Sequence, residues 1–248
     1  MKAQSASLTL YHFEPGHHKE VCMWHDQDHK PEVVGTMPNI FISQRWVAPP
    51  ELMAARPPSS LEHDGGEYVN LYWSTGTPDQ MEADFGVLGR RLELVGRMRP
   101  MRYIQRTWGR RLRPVSAYTR TGLELSAEAV TCAPQNTGLM VVIHELVDSE
   151  RRAAYASWHE SVHMQMVLDT RLFTGAVKLM SDAREDRNLY VVFYYSDCLD
   201  TNATYAAYQE LAAGWRNAGQ DFPDVDSVRT RIHSGMYRPS RGHYEFYD

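Results

Sequence analysis

Apolar and polar positions along the 248-residue chain fall into two runs with the same order of spacings. Residues 8–14 alternate apolar with polar and are rich in strand formers, which predicts a β-strand. Pro15-Gly16 breaks it, and residues 17–29 carry helical spacing, with Pro31 expected to stop that helix near Lys30. Residues 40–47 and 67–74 read as strands on either side of a proline-rich loop at 48–66. Thr77-Pro78-Asp79 opens a second helix running to residue 97, and residues 101–112 supply a fourth strand. The order then recurs, with strands at 139–146, 172–180, 189–195 and 228–237 and helices at 149–168 and 202–217. Smaller echoes support the match: Tyr11-His12 faces Ile143-His144, and YVNLYW at 68–73 resembles YVVFYY at 190–195.

Each run is therefore βαββαβ, the ferredoxin-like order, which lays both helices on one face of an antiparallel sheet. The expected class is α+β, with two ferredoxin-like modules in tandem at 1–114 and 138–248 and a connector at 115–137. Each sheet has an apolar face that its own helices leave bare, so the two sheets are expected to pack face to face. The loop at 48–66 has no counterpart of its length in the second half. It reads either as a lid over the first-half site or as a packing segment.

The first helix of each module carries the clearest repeat: Trp24-His25-Asp26-Gln27-Asp28-His29 and Trp158-His159-Glu160-Ser161-Val162-His163, both Trp-His-acid-x-x-His. On an α-helical wheel Val21, Trp24 and Asp28 share one stripe, with His25 inside it and His29 at its edge. Tyr155, Trp158, Val162 and Met166 form the equivalent stripe around His159 and His163. Asp28 thus takes the place of Val162, and an inward carboxylate beside two imidazoles would fix a tautomer and raise basicity, as a general base requires. Trp24 and Trp158 read as rings packed on the sheet. His12 and His144, on first strands, point into the helix-sheet cleft or are satisfied core histidines. His159 to His163 is also a literal HExxH. A zinc protease needs a third ligand from elsewhere, and duplication of such a centre within so small a fold argues against it, so no resident metal is expected.

Composition narrows the field. Lys and Arg number 26 against 31 Asp and Glu, a net charge of −5, so the electropositive field of a nucleic-acid binder is missing. The basic run at 97–113 interleaves arginines with Tyr103, Ile104, Trp108 and Leu112 and reads as a strand with one wet face. Cys22, Cys132 and Cys198 are odd in number and scattered, which favours a reducing, cytoplasmic setting over a disulfide framework. No apolar stretch approaches the length of a membrane span, and GxSxG, Walker and GxGxxG strings do not occur.

The string WHDQDHKPE, preceded by a strand and followed by the strand at 40–47, resembles the EthD-like and HapK-like members of the dimeric α+β barrel superfamily. The second copy lacks the Pro-Glu after His163. The resemblance implies ferredoxin-like modules paired through their sheets into a barrel, a ligand cleft between helices and sheet, and a small-molecule substrate, with a homodimer as one assembly open to it. Members include cofactor-free monooxygenases, cyclases, isomerases and dehydratases as well as haem enzymes, and fold alone does not choose among them. Nothing in the sequence singles out a histidine as an axial haem ligand. The leading expectation is a cofactor-independent enzyme that moves protons on a small, largely apolar carbonyl or phenolic metabolite by isomerisation, cyclisation, dehydration or decarboxylation. His25 would be the base or acid, Asp28 its orienter and His29 a second proton carrier, with Trp24, His12, Arg45 and Tyr72 as further binding candidates. An equivalent second site would use His159 and His163. The alternatives are a cofactor-free monooxygenase, a His-ligated metal or haem enzyme, and a non-catalytic small-ligand binding protein whose histidines are structural.

Overall fold

The computed structural model describes residues 3–181 and 188–240. Strand β1 (Ser5–Phe13) leads into a continuous helical rod made of α1 (His18–Trp24), a π-helical turn (His25–His29) and α2 (Lys30–Thr36). Next along the chain come β2 (Ile40–Val47), the short α3 (Pro50–Ala54), β3 (Tyr68–Ser74), α4 (Pro78–Leu94) and the long β4 (Ile104–Thr119). The start of α4 matches its sequence signature: Thr77 Oγ1 accepts from the Gln80 amide at 3.2 Å, and Gln80 Oε1 accepts from the Thr77 amide at 2.9 Å. The second half repeats the plan with β5 (Gly138–Leu146), α5 (Arg152–Trp158), a second π-helical turn (His159–His163), α6 (Met164–Asp169), β6 (Gly175–Ser181), β7 (Leu189–Ser196), α7 (Thr201–Asn217), α8 (Val225–Val228) and β8 (Arg229–Pro239).

Each half forms a four-stranded antiparallel sheet, ordered β4-β1-β3-β2 in the first and β6-β7-β5-β8 in the second. The sheets join along both edges into one closed barrel. On one side β4 pairs with β6 over seven positions, from Leu112 with Ser181 to Thr119 with Gly175. On the other, β2 meets β8 at Trp46 with Pro239 and Val47 with Arg238. Closure pairs the backbone groups that an open sheet would leave exposed at its edges. The α+β class and the opposed sheets expected from the sequence are therefore found within one chain.

The barrel interior is the core. Leu8, Leu10, Leu71, Val141, Ile143 and Val191 are fully buried there, and aromatic pairs cross between halves. Trp73 meets Phe193 edge to face at 6.2 Å, and Trp46 meets Tyr195 at the same centroid distance. Outside the barrel, each half's helices cover its sheet and leave a cleft between. No described helix is long and apolar enough to cross a membrane.

Three local expectations differ. The helix does not stop before Pro31 but continues through α2 to Thr36. Lys30 reaches back five residues to the His25 carbonyl, and this widened ladder is where a proline's missing N–H disturbs least. Strand β4 runs past the expected module end at 114 to Thr119, because its pairing with β6 continues there. The register also sets Tyr11, not His12, in the position of His144, since Tyr11 pairs with Tyr68 as His144 pairs with Tyr190.

Because the core belongs to both halves, the described barrel should unfold as one unit. Phe193→Ala is expected to cost about 3–5 kcal/mol, read as a lowered urea midpoint with a single transition by fluorescence and circular dichroism alike. Two separated transitions in the wild type would contradict the shared core.

Candidate functional site

Both copies of the repeated motif form π-helical turns, with an i→i+5 hydrogen-bond pattern within otherwise α-helical rods. The second copy has no proline after it, so the turn belongs to the shared Trp-His-acid-x-x-His string rather than to Pro31. An extra residue in the turn rotates the remainder of the helix about its axis, and such turns concentrate at functional sites. The first histidine of each pair faces inward, His25 and His159 being only 3% and 2% exposed.

The acid after that histidine is the residue the turn brings to the sheet. Asp26 Oδ2 accepts from Arg45 Nη2 at 2.5 Å, and Glu160 pairs with Lys178 while accepting from Tyr118 at 2.9 Å. Arg45 stands opposite Asn70 across β2 and β3, as Lys178 stands opposite Val192 across β6 and β7. The acid–cation pair is thus repeated in kind between the halves, at equivalent strand positions.

In the first half a hydrogen-bond chain fixes His25. The Tyr11 hydroxyl donates to Asn70 Oδ1 at 2.7 Å, so the Asn70 amide nitrogen faces His25 and donates to Nε2 at 2.7 Å. Nε2 is then the acceptor and Nδ1 carries the proton, directed at Asp26 Oδ1 3.4 Å away. The Tyr72 hydroxyl lies 3.2 Å from the same Nε2. Burial lowers the pKa of His25 to about 4, and burial followed by the neighbouring His25 lowers that of His29 to about 4, so both rings are neutral at pH 7. Burial opposes ionisation of Asp26, but the His25 hydrogen bond and the Arg45 charge outweigh it and hold the carboxyl below its usual range.

His25 and His29 open onto a cavity of about 270 Å³ walled by Trp24, Tyr72, Phe85, Leu88, Met98 and Met101. A cavity of about 150 Å³ already admits benzene, whereas drug-sized ligands occupy about 300–1,000 Å³. A ligand of one or two rings fits. Among the described residues no three His, Cys, Asp or Glu side chains converge as metal ligands.

Three expectations change in this geometry, and the loop at 48–66 takes the packing role of its two readings. Asp28 is not beside the imidazoles; it pairs with Arg97, which also holds Glu32 at 2.7 Å, because the π turn displaces it from its α-helical-wheel position. Arg45 does not line the cavity: it grips Asp26, and its Nη1 donates to Cys22 Sγ at 2.8 Å. His12 lies outside the cleft, 3.4 Å from Glu67 and stacked on His63, since the register gives the cleft position to Tyr11. The loop at 48–66 crosses to the second half, where Ser59 and Ser60 bond the Ile232 carbonyl and Pro57 lines the other cleft. Trp24, His25, His29 and Tyr72 do meet at the first cavity, with the Trp24 ring stacked on His29 at 4.7 Å. Asp26, Asn70, Arg106 and Arg111 were missed. The signal for Asp26 was the repeat itself, which keeps an acid at 26 and 160 but not at 28.

His159 and His163 line a second cavity of about 210 Å³. Val192 replaces Asn70 there, and His159 Nδ1 instead meets the Tyr190 hydroxyl at 3.2 Å. The amide that sets the His25 tautomer has no equivalent on that strand.

No family model and no curated protein matches the chain. Solved structures do. An anthrone oxidase-like protein matches with a TM-score of 0.54 and 11% identity over 96% of this chain and 92% of that one. A candidate monooxygenase from Fusobacterium nucleatum matches with a TM-score of 0.54 and 7% identity over 96% and 93%. A variant chlorite dismutase from Candidatus Nitrospira defluvii matches with a TM-score of 0.54 and 10% identity over 98% and 93%. At such identities the likeness is one of fold, an antiparallel α+β barrel of two ferredoxin-like halves, here completed within one chain. These three are described as oxidase-like, monooxygenase and dismutase, not as isomerase, lyase or cyclase.

The buried histidines make stability depend on pH. Burial holds His25, His29 and His163 at about 4 and His233 at about 3, below their unfolded value of 6.5. The unfolded chain binds protons first, so this stability is present above pH 6.5 and is lost as pH falls toward 4. Glu67, held up to about 7 by burial, acts in the opposite sense, one carboxyl against four imidazoles. His25 alone accounts for on the order of 3 kcal/mol. The urea midpoint should fall steeply between pH 6.5 and 4.5; a flat profile over that window would show that these rings are not held neutral.

Proposed function

We propose that the chain is an enzyme acting on a small, largely apolar phenol or carbonyl compound, and that its chemical step is proton removal by His25. The observation that carries this reading is the fixed tautomer: the Asn70 amide donates to His25 Nε2, which marks Nε2 as the basic nitrogen beside the first cavity, while Nδ1–H faces Asp26. A substrate hydroxyl or acidified C–H reaches Nε2 by displacing the Asn70 amide and the Tyr72 hydroxyl from it. As the ring becomes imidazolium, Asp26, anchored by Arg45, supplies the counter-charge. His29, stacked on Trp24, with a buried Nδ1 that no group bonds, serves as the second proton carrier. Arg106 and Arg111 on the cavity wall take over the role of steadying the oxyanion formed in the substrate.

The string WHDQDHKPE supports the narrower EthD-like and HapK-like placement. Two of the similar folds are described as anthrone oxidase-like and as a candidate monooxygenase. That likeness favours a second outcome for the same first step, in which the deprotonated, electron-rich substrate is captured by dioxygen instead of being reprotonated at another atom. Both outcomes need His25.

The test is a panel of one- and two-ring phenols and ketones, 2-tetralone among them, assayed for solvent-deuterium exchange by NMR and for oxygen uptake by electrode. On a compound the wild type turns over, His25→Ala should lower kcat/KM by about 10²–10⁴. Asn70→Val, which copies the second half, should lower kcat more than it raises KM. Unchanged turnover in folded His25→Ala would remove the catalytic assignment and leave a binding role. Deuterium exchange without oxygen uptake would select proton transfer over oxygenation.

A further inference from the structure

The second cleft is not a worn copy of the first, because its arginines come from β8 and the end of α7 and its walls are mostly aromatic. Three arginines, Arg216, Arg229 and Arg231, line its cavity of about 210 Å³, and among the described lining residues Asp221 is the only carboxylate. Asp221 pairs with Arg216 at 3.4 Å. Arg229 spends its hydrogen bonds on neutral groups, lying 2.8 Å from His144 Nε2 and donating to the Tyr155 hydroxyl at 3.2 Å. Arg231 stands exposed at the rim.

The other walls are aromatic. Tyr194, Tyr205, Tyr208 and Trp215 surround the space, and the Tyr194 hydroxyl is buried with no hydrogen-bond partner, its residue 1% exposed. A buried hydroxyl left unbonded costs free energy unless something arrives to bond it. The histidines facing this cavity, His144, His159 and His163, are all held neutral by burial, so they add no charge at pH 7. Pro57, from the loop that the second half lacks, closes one side, and Gln209 of α7 ties that loop down by donating to the Ala55 carbonyl at 2.7 Å.

We propose that this second cleft is a binding site for a small aromatic carboxylate, separate from the His25 site, with the carboxylate held at the Arg229 and Arg231 end and the ring between Tyr208 and Trp215. The unsatisfied guanidinium charge calls for an anion, the aromatic walls call for a ring, and the volume limits it to one. Tyr194 supplies a hydrogen bond from below. The first-half loop makes the site depend on both modules.

Benzoate is the probe, titrated calorimetrically into the full chain at pH 7 and low salt, with benzyl alcohol as the uncharged control and inorganic phosphate as the ring-free anion. Benzoate should bind, benzyl alcohol and phosphate at least tenfold more weakly. Arg231→Met, a change at an exposed position, should weaken benzoate at least tenfold, and Tyr194→Phe, which keeps the ring, should weaken it severalfold. His25→Ala should leave benzoate binding unchanged, which separates this site from the proposed catalytic one. Equal binding of phosphate and benzoate, no benzoate heat at millimolar concentration, or benzoate affinity unaltered in folded Arg231→Met and Tyr194→Phe would each overturn the proposal.

Discussion

Everything in this molecule depends on the sealing of two sheets at their edges. A four-stranded sheet with helices on one face leaves the opposite face apolar and two edges unpaired, and neither half can hide these alone. Joining β4 to β6 and β2 to β8 removes both liabilities at once. It also forces Trp46, Trp73, Phe193 and Tyr195 into one interior. With the barrel interior filled by side chains, ligand space is displaced outward, to the clefts between each sheet and its helices. The position of both cavities is thus a by-product of closure.

Within those clefts a second constraint operates, the single extra residue in each π turn. It brings the acid next to the first histidine onto a cation of the second strand. From there the halves diverge by a few substitutions on a common frame. Asn70 against Val192 decides whether an amide fixes Nε2 as the unprotonated nitrogen of the histidine. Tyr11 against His144, and the arginines of β8, decide where the cations of each cleft stand.

Much of the fold was legible because duplication shows in spacing alone: the strand and helix order and the opposed sheets come from period and repetition. The π turn was not legible, since a wheel assumes 3.6 residues per turn, and that one assumption moved the orienting acid from Asp26 to Asp28. A one-residue ambiguity in strand register had the same effect on His12, because neighbouring positions on a strand face opposite ways. The destination of the loop at 48–66 was hidden for a different reason. Its contacts with Ile232 and Gln209 lie far away in sequence, and no local pattern encodes them.

The two seams of the barrel are reinforced differently. Among the described residues one shows seven paired positions and the other two, with a further bond from the Ser240 amide to the Arg45 carbonyl. The loop that leaves β2 at the second seam crosses directly to β8 and packs over it as a strap. That same strap carries Pro57 into the second cavity. A change in the first module's loop therefore reaches both a joint of the barrel and the wall of a cleft that the other module's helices cover.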